Sequence, residues 1–324
     1  MVAVMEALKS AAVVGGGLAG LACGIRLKSL GWDVAVYEKR RYPLKKVCGE
    51  FLSPKGWERV LDLGAGKHLP LPPVSLSKAR FYYGAKKYFD FTLRPAAYGI
   101  SREALDSALA ARFKELGGRL KEGEAFRSRS AEAGTEVIDA SGRPLSGTQA
   151  RWIGWKGYLA PGELDIQGIT MLPLEGGYCG LSPVEDGRCS VCFVAKAPAN
   201  VDALLRSHPF LEPVAGRIRF HASIAGFDFV RSSQPLKIGD AAAVWPPLVG
   251  DGMSRALGAG LDLAQNLDAG RTLRRSSPQA LDVEFTLSKA MHSLMLSSSG
   301  KRLLGPVLHL APWLAARAYQ WSRG

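Results

Sequence analysis

Residues 11–38 read AAVVGGGLAGLACGIRLKSLGWDVAVYE. The apolar run Ala11–Val14 enters a glycine turn, apolar positions recur at helical spacing over Leu18–Ser29, and Gly31 stops them. A second apolar run, Asp33–Glu38, ends on a carboxylate. Strand, glycine turn, helix and strand together make a βαβ unit, which predicts an α/β protein with a parallel sheet.

Within the turn, Gly15, Gly17 and Gly20 take the GxGxxG positions, with Leu18 and Ala19 between them. Gly15 permits the tight turn off the strand, Gly17 leaves room for a pyrophosphate, and Gly20 lets helix and strand approach closely. The helix N-terminus then offers free N–H groups and a positive dipole end to phosphates. Glu38 can accept the ribose hydroxyls of an adenosine and would repel a 2′-phosphate. The stretch predicts a dinucleotide site. Lys39 and Arg40 open a basic loop with Arg41, Lys45 and Lys46, in which no acid precedes Gly49. It can meet a phosphate of a cofactor or electron donor, or be a solvated charge run.

Outward from this unit, the chain has 324 residues, about two domains' worth at ~100–200 residues each. A hydrophobic fraction of 47% fits a globular core. The net charge of +13 is scattered, with no zinc-finger, RNP-like or basic-zipper pattern, so nucleic acid is not expected as a partner. The five cysteines, Cys23, Cys48, Cys179, Cys189 and Cys192, form no disulfide framework and suit a reducing, cytoplasmic setting. Cys189 and Cys192 lie three apart in a β-patterned run and should face opposite sides, so no metal site is expected. The apolar N-terminal run feeds the glycine motif directly, which argues against a signal peptide. No stretch reaches ~18 uninterrupted apolar residues, so no spanning helix is expected.

Further along, Pro54–Leu61 reads as a short helix and Phe81–Phe91 as an aromatic hairpin. Ser101–Leu116 reads as a helix capped by Ser101. Glu136–Ala140 is a short strand. Trp152–Val230 is mostly β, with a hairpin of Tyr178–Val184 and Arg188–Ala195 about Glu185-Asp-Gly187. Leu236–Ile238 leads to Gly239-Asp240, and Gly252–Leu267 is a helix. Residues 278–324 are helical, with breaks expected at Pro306 and Pro312. The expected organisation is a Rossmann-like dinucleotide-binding domain from residues 1–75, 98–150 and 232–277. A β-sheet substrate domain (76–97 and 151–231) is inserted in it, and a helical C-terminal tail (278–324) follows.

The second chemistry-bearing block is Ile238-Gly-Asp-Ala-Ala-Ala-Val-Trp-Pro-Pro-Leu-Val-Gly-Asp-Gly-Met253. Asp240, just past a strand end, can meet the hydroxyls of a ribityl chain, and N–H groups near Gly252 and Met253 can face the flavin N1/C2=O edge. A strand-to-helix turn whose Asp merely caps is the alternative.

Four motifs stand in one order: GGGLAG with Glu38; Val47-Cys-Gly-Glu50; Ser101-Arg-x-x-Leu-Asp106; and Gly239-Asp240 with Pro247-x-x-Gly-Asp-Gly-Met253. Over residues ~11–270 the chain resembles the geranylgeranyl reductase-like branch of FAD-dependent oxidoreductases, itself similar to p-hydroxybenzoate hydroxylase-type flavoproteins. The resemblance implies FAD, with Gly15, Gly17, Leu18, Ala19, Gly20, Glu38, Lys39 and Arg40 at its ADP half. It implies Arg102 at the pyrophosphate, Asp240 at the ribityl side, and Gly49, Gly250, Gly252 and Met253 by the isoalloxazine. Cys48 would border the reaction centre, or pack beneath the cofactor. Lys45 and Lys46 are the cations that could favour its thiolate.

Departures bear on the reaction. The monooxygenase Asp-Gly pair appears as Asp139-Ala-Ser-Gly142, Ala243 stands where many hydroxylases carry His, and Ser254 where they carry Asn. No second GxGxxG exists for a nicotinamide, so the donor is NAD(P)H or a reduced electron carrier. The expected activity is hydride transfer between flavin N5 and a lipophilic, isoprenoid- or polyketide-like substrate. Alternatives are a class A-type monooxygenase of an aromatic or quinone-like compound, and a non-catalytic flavoprotein. After Glu284 the tail has only basic charges, with Trp313 and Trp321 among apolar residues. It can rest peripherally on anionic lipid at the inner membrane face, or pack on the protein's own core.

Overall fold

The computed structural model describes residues 9–127, 133–143, 151–247, 251–271 and 278–321. Strand β1 (Ser10–Val14) lies parallel between β2 (Asp33–Glu38) and β7 (Glu136–Asp139), and β6 (Arg119–Glu122) extends the sheet beyond β2. A parallel strand covered on both faces needs apolar residues at consecutive positions, and Ala11, Ala12 and Val13 are all buried. Helix α1 (Leu18–Ser29) is the crossover. It is apolar nearly all round because it is enclosed by this sheet, α3 (Arg102–Glu115) and α5 (Gly252–Asp268). Ser101 caps α3 by accepting from the Ala104 N–H at 3.1 Å.

A second sheet has eight strands in the order β12-β8-β11-β10-β9-β4-β5-β3. These are β12 (Arg219–Phe227), β8 (Trp152–Leu159), β11 (Cys189–Lys196), β10 (Gly177–Pro183), β9 (Ile169–Leu174), β4 (Val74–Tyr82), β5 (Tyr88–Gly99) and β3 (Phe51–Leu52). Neighbours are antiparallel apart from β4 with β9. One face, carrying Cys179, Leu181, Cys189, Val191 and Phe193, packs under Leu205, Leu211, Val214 and Ala215. Those four come from α4 (Val201–Arg206) and the turns after it, a helical cover that a mostly β reading of 152–230 did not anticipate. Cys192 points the other way from Cys189, as the period of two requires.

The opposite face is covered by the tail. Phe285 of α6 (Pro278–Leu296) joins Trp152, Tyr178, Val194, Phe227 and Phe229 in one buried cluster. Tyr319 of α8 (Pro312–Trp321) is buried with Phe51, Leu76 and Leu93, and its hydroxyl donates to the Pro95 carbonyl at 3.2 Å. The tail therefore packs on the protein's own core, with Leu303, Leu310 and Trp313 exposed on its outer side. Among the described residues no helix is long and apolar enough to cross a membrane.

Two local expectations need correction. The helix break at Pro306 does not occur: α7 (Ser298–Leu310) runs through it, since a helical proline removes one N–H bond without ending the helix when neighbouring elements hold it, here α6, β5 and α8. Leu236–Ile238 forms no strand, only a single parallel bridge of Lys237 to Asp139.

Candidate active site

At the glycine turn Gly15 has φ +111°, and a Cβ there would sit 2.2 Å from the Ala140 carbonyl oxygen; one on Gly20 would sit 1.9 Å from that of Gly15. Both positions exclude a side chain. Gly17 is different: nothing lies within 4 Å of where its Cβ would be. Gly17 is also the N-cap of α1, with no side-chain cap and no acid in the first turn, so the positive helix end faces open space. Leu18 and Ala19 turn their side chains into the core and leave only backbone to the turn.

Glu38 is buried and already anchored: its Oε2 accepts the Gly16 N–H and its Oε1 the Arg40 N–H, both at 3.0 Å. Its remaining lone pairs are what a ribose could use. Tyr42, absent from the sequence reading, donates its hydroxyl to the Gly16 carbonyl at 2.5 Å. Burial and the carboxylates of Asp106 and Glu38 push its phenol up and keep it a donor. Lys39 and Arg40 are exposed.

The Cys48-Gly49-Glu50 loop carries the densest chemistry. Its Val47 packs where a Cβ on Gly154 would lie, which sets the loop on the β8 side of the large sheet. Glu50 adopts φ +56° and is fully buried. Its Oε1 accepts the Arg102 N–H at 2.6 Å, the Tyr158 hydroxyl at 2.8 Å and the Lys156 ammonium. Lys156 also donates to the Tyr158 oxygen at 2.6 Å. Burial pushes the Glu50 carboxyl up, while Lys156 and the two other donors pull it back. Cys192 lies opposite Lys156 in the register and close to Cys48, and burial pushes its thiol up to about 12.

The cation facing Cys48 is Arg102, rather than the expected Lys45 or Lys46. Lys45 is exposed, and burial pulls the Lys46 ammonium down. The Arg102 guanidinium grips Asp106 through two bonds of 2.7 and 2.9 Å. Its charge is thus partly offset within the chain before any pyrophosphate arrives.

In the second block Asp240 Oδ2 accepts Arg143 Nε at 2.8 Å, and the Arg143 guanidinium lies 4.8 Å from the Phe227 ring centre. Gly239 approaches Ala19, which places this turn beside the start of α1. Gly252 opens α5 into free space, as Gly49 does in its loop. The Met253 side chain is buried in the main core, so only its backbone can face a ligand there. Gly250 lies outside the described residues. Glu50, Lys156, Tyr158 and Arg143 were not singled out from sequence; the one available signal was Lys156 sharing strand parity with Trp152 and Tyr158.

Residues 13–70 match the family of NAD(P)-binding Rossmann-like domains. No curated protein sequence matches the chain. Among solved structures, Klebsiella pneumoniae HpxO complexed with FAD and uric acid is 17% identical, with a TM-score of 0.72 over 97% of each chain. A flavoprotein/dehydrogenase from Cytophaga hutchinsonii is 17% identical, with a TM-score of 0.69 over 97% of this chain and 96% of that one. The flavin-dependent brominase Bmp2 is 17% identical, with a TM-score of 0.63 over 97% of this chain and 90% of that one. At such identities the likeness is one of fold. The fold is one this chain shares with those three proteins along almost its whole length.

Two outcomes follow from the buried groups. Lys156→Met leaves Glu50 without its cation and should cost about 3–5 kcal/mol in urea denaturation, most of it recovered in the double variant with Glu50→Gln. His292 of α6 is 1% exposed, and burial pulls its pKa to about 4. The unfolded chain then binds the extra proton first, so stability should fall as pH drops from about 6.5 to about 4, by up to ~3 kcal/mol. His208 and His221 are shifted the same way. The measurement is therefore a difference: His292→Phe should flatten the curve in that window, and equal slopes would refute the assignment.

Proposed function

We propose that this protein is an FAD-dependent oxidoreductase that reduces or dehydrogenates a lipophilic substrate. The supporting observation is a set of three open backbone positions: Gly17 and Gly252 at the starts of α1 and α5, which pack on each other, and Gly49 in the loop that runs into β3, which α5 contacts. Neither helix start carries a side-chain cap. That arrangement fits a long anionic cofactor with phosphates at α1 and a ring near α5.

Gly15, Gly17 and Gly20 would hold the pyrophosphate, Glu38 the ribose, and Asp240 the ribityl side. FAD supplies two-electron hydride chemistry at N5 when bound. The chain's part is to orient the substrate over the large sheet, to keep water out with α6, and to place Cys48 and the Glu50–Lys156–Tyr158 cluster beside the reacting end. Burial and Glu50 push the Tyr158 phenol up, so its proton stays on Oη. The exposed Leu303, Leu310, Trp313 and Arg317 of the tail would suit peripheral contact with an anionic lipid surface, from which such a substrate could be drawn.

A second reading is a monooxygenase. It is favoured by the similar structure of the peptidyl tryptophan dihydroxylase QhpG. The purified protein should be yellow and should bleach anaerobically with NADH, NADPH or dithionite. Isotope label from dioxygen in the product would establish the monooxygenase and sink the reductase. A colourless protein that takes up no added FAD would remove both. Gly17→Asp tests the cofactor site itself. An N-cap Asp leaves α1 at least as stable, yet it puts a negative charge where phosphate would lie, so FAD affinity should fall about tenfold or more in equilibrium dialysis.

A further inference from the structure

Tyr178, His292 and Arg143 each bury a polar atom that has no hydrogen-bond partner among the described residues: the Tyr178 hydroxyl, both imidazole nitrogens of His292, and Nη1 of Arg143. They come from three separate parts of the fold. Tyr178 stands on β10, on the sheet face that α6 covers; His292 descends from α6; Arg143 follows β7 and reaches Asp240. Tyr178 senses the Arg143 charge and the Cys192 thiol, so the three line one region. The His292 ring stands nearly perpendicular to Phe229 at 4.8 Å, Trp152 at 4.9 Å and Tyr178 at 5.6 Å between ring centres.

Aromatic walls can satisfy only half of this histidine. An imidazole N–H can point at a ring face, but the acceptor nitrogen needs a donor that neither Trp152 nor Phe229 provides. The Tyr178 hydroxyl makes no bond to it either. Buried groups of this kind are almost always partnered, so four orphaned atoms in one region point to a ligand that belongs there. Burial keeps His292 neutral and the Tyr178 phenol protonated, and Asp240 already offsets Arg143. The site therefore suits a neutral group that both donates and accepts.

We propose that Tyr178 and His292 are the specificity-determining end of the substrate site, where they bind a hydroxyl or enolic oxygen of a planar unsaturated substrate packed against Trp152 and Phe229. The inference rests on reading the protein as an oxidoreductase of a lipophilic molecule. It adds the polar handle by which that molecule is oriented.

The test is calorimetric titration of the purified flavin-loaded protein with 2-naphthol and with naphthalene, the flavin content of each sample being measured after denaturation. Wild type should prefer the naphthol by about tenfold or more. His292→Phe and Tyr178→Phe should each bring the two probes to within about threefold while leaving naphthalene binding little changed. Tyr178→Phe removes a single oxygen, so it answers the question should the histidine variant fail to fold. A wild type with no preference, or with no binding, overturns the proposal. So does a preference that survives in the folded variants. A sample that prefers naphthol yet holds and takes up no flavin keeps the subsite and discards the oxidoreductase reading.

Discussion

Lys156 and Glu50 meet with almost no solvent access, 3% for one side chain and none for the other. Each ion would cost several kcal/mol to bury alone, so neither segment can withdraw without stranding the other. Lys156 belongs to the eight-stranded sheet, and Glu50 ends the Cys48-Gly49 loop that leads out of the glycine-turn unit. The pair thereby ties the end of that loop, where it enters β3, to β8 across the large sheet. Glu50 also accepts the first N–H of α3, which ties that helix to the same anchor. A second polar tie lies nearby, where Glu185 of the β10–β11 turn accepts from the backbone N–H and hydroxyl of Ser101, the α3 cap.

Around that anchor the fold divides its labour by backbone and side chain. The glycine turn, the Cys48 loop and the start of α5 present backbone and open space, which suits a large cofactor carrying its own chemistry. The large sheet presents aromatic walls and a few polar groups held neutral by burial, which suits an apolar substrate. The tail joins the two roles. Its inner side closes the sheet with Phe285, His292 and Tyr319, and its outer side leaves Leu310 and Trp313 exposed.

Residues 11–38 determined the βαβ unit and its open glycine turn by local rules alone. A glycine spacing, a capless helix start and a strand ending in a carboxylate act within one short segment, and each works through its own backbone. Cys48, Asp240 and Gly252 could likewise be picked out as candidates, because they sit in contiguous motifs. Lys156 was not: a lysine in a strand ordinarily faces water, and only the pairing of Lys156 with Cys192 and the approach of the Glu50 loop turn it inward. Nor was His292, which stands in a tail helix with no motif around it, its aromatic neighbours 63 to 140 positions earlier. Nor was α4, whose short apolar stretch has meaning only against the face it covers. Short-range spacing thus decided where the glycine turn and the start of α5 lie open. The register of the large sheet and the packing of the tail decided which polar groups lose their water, because desolvation depends on neighbours that are remote in the chain.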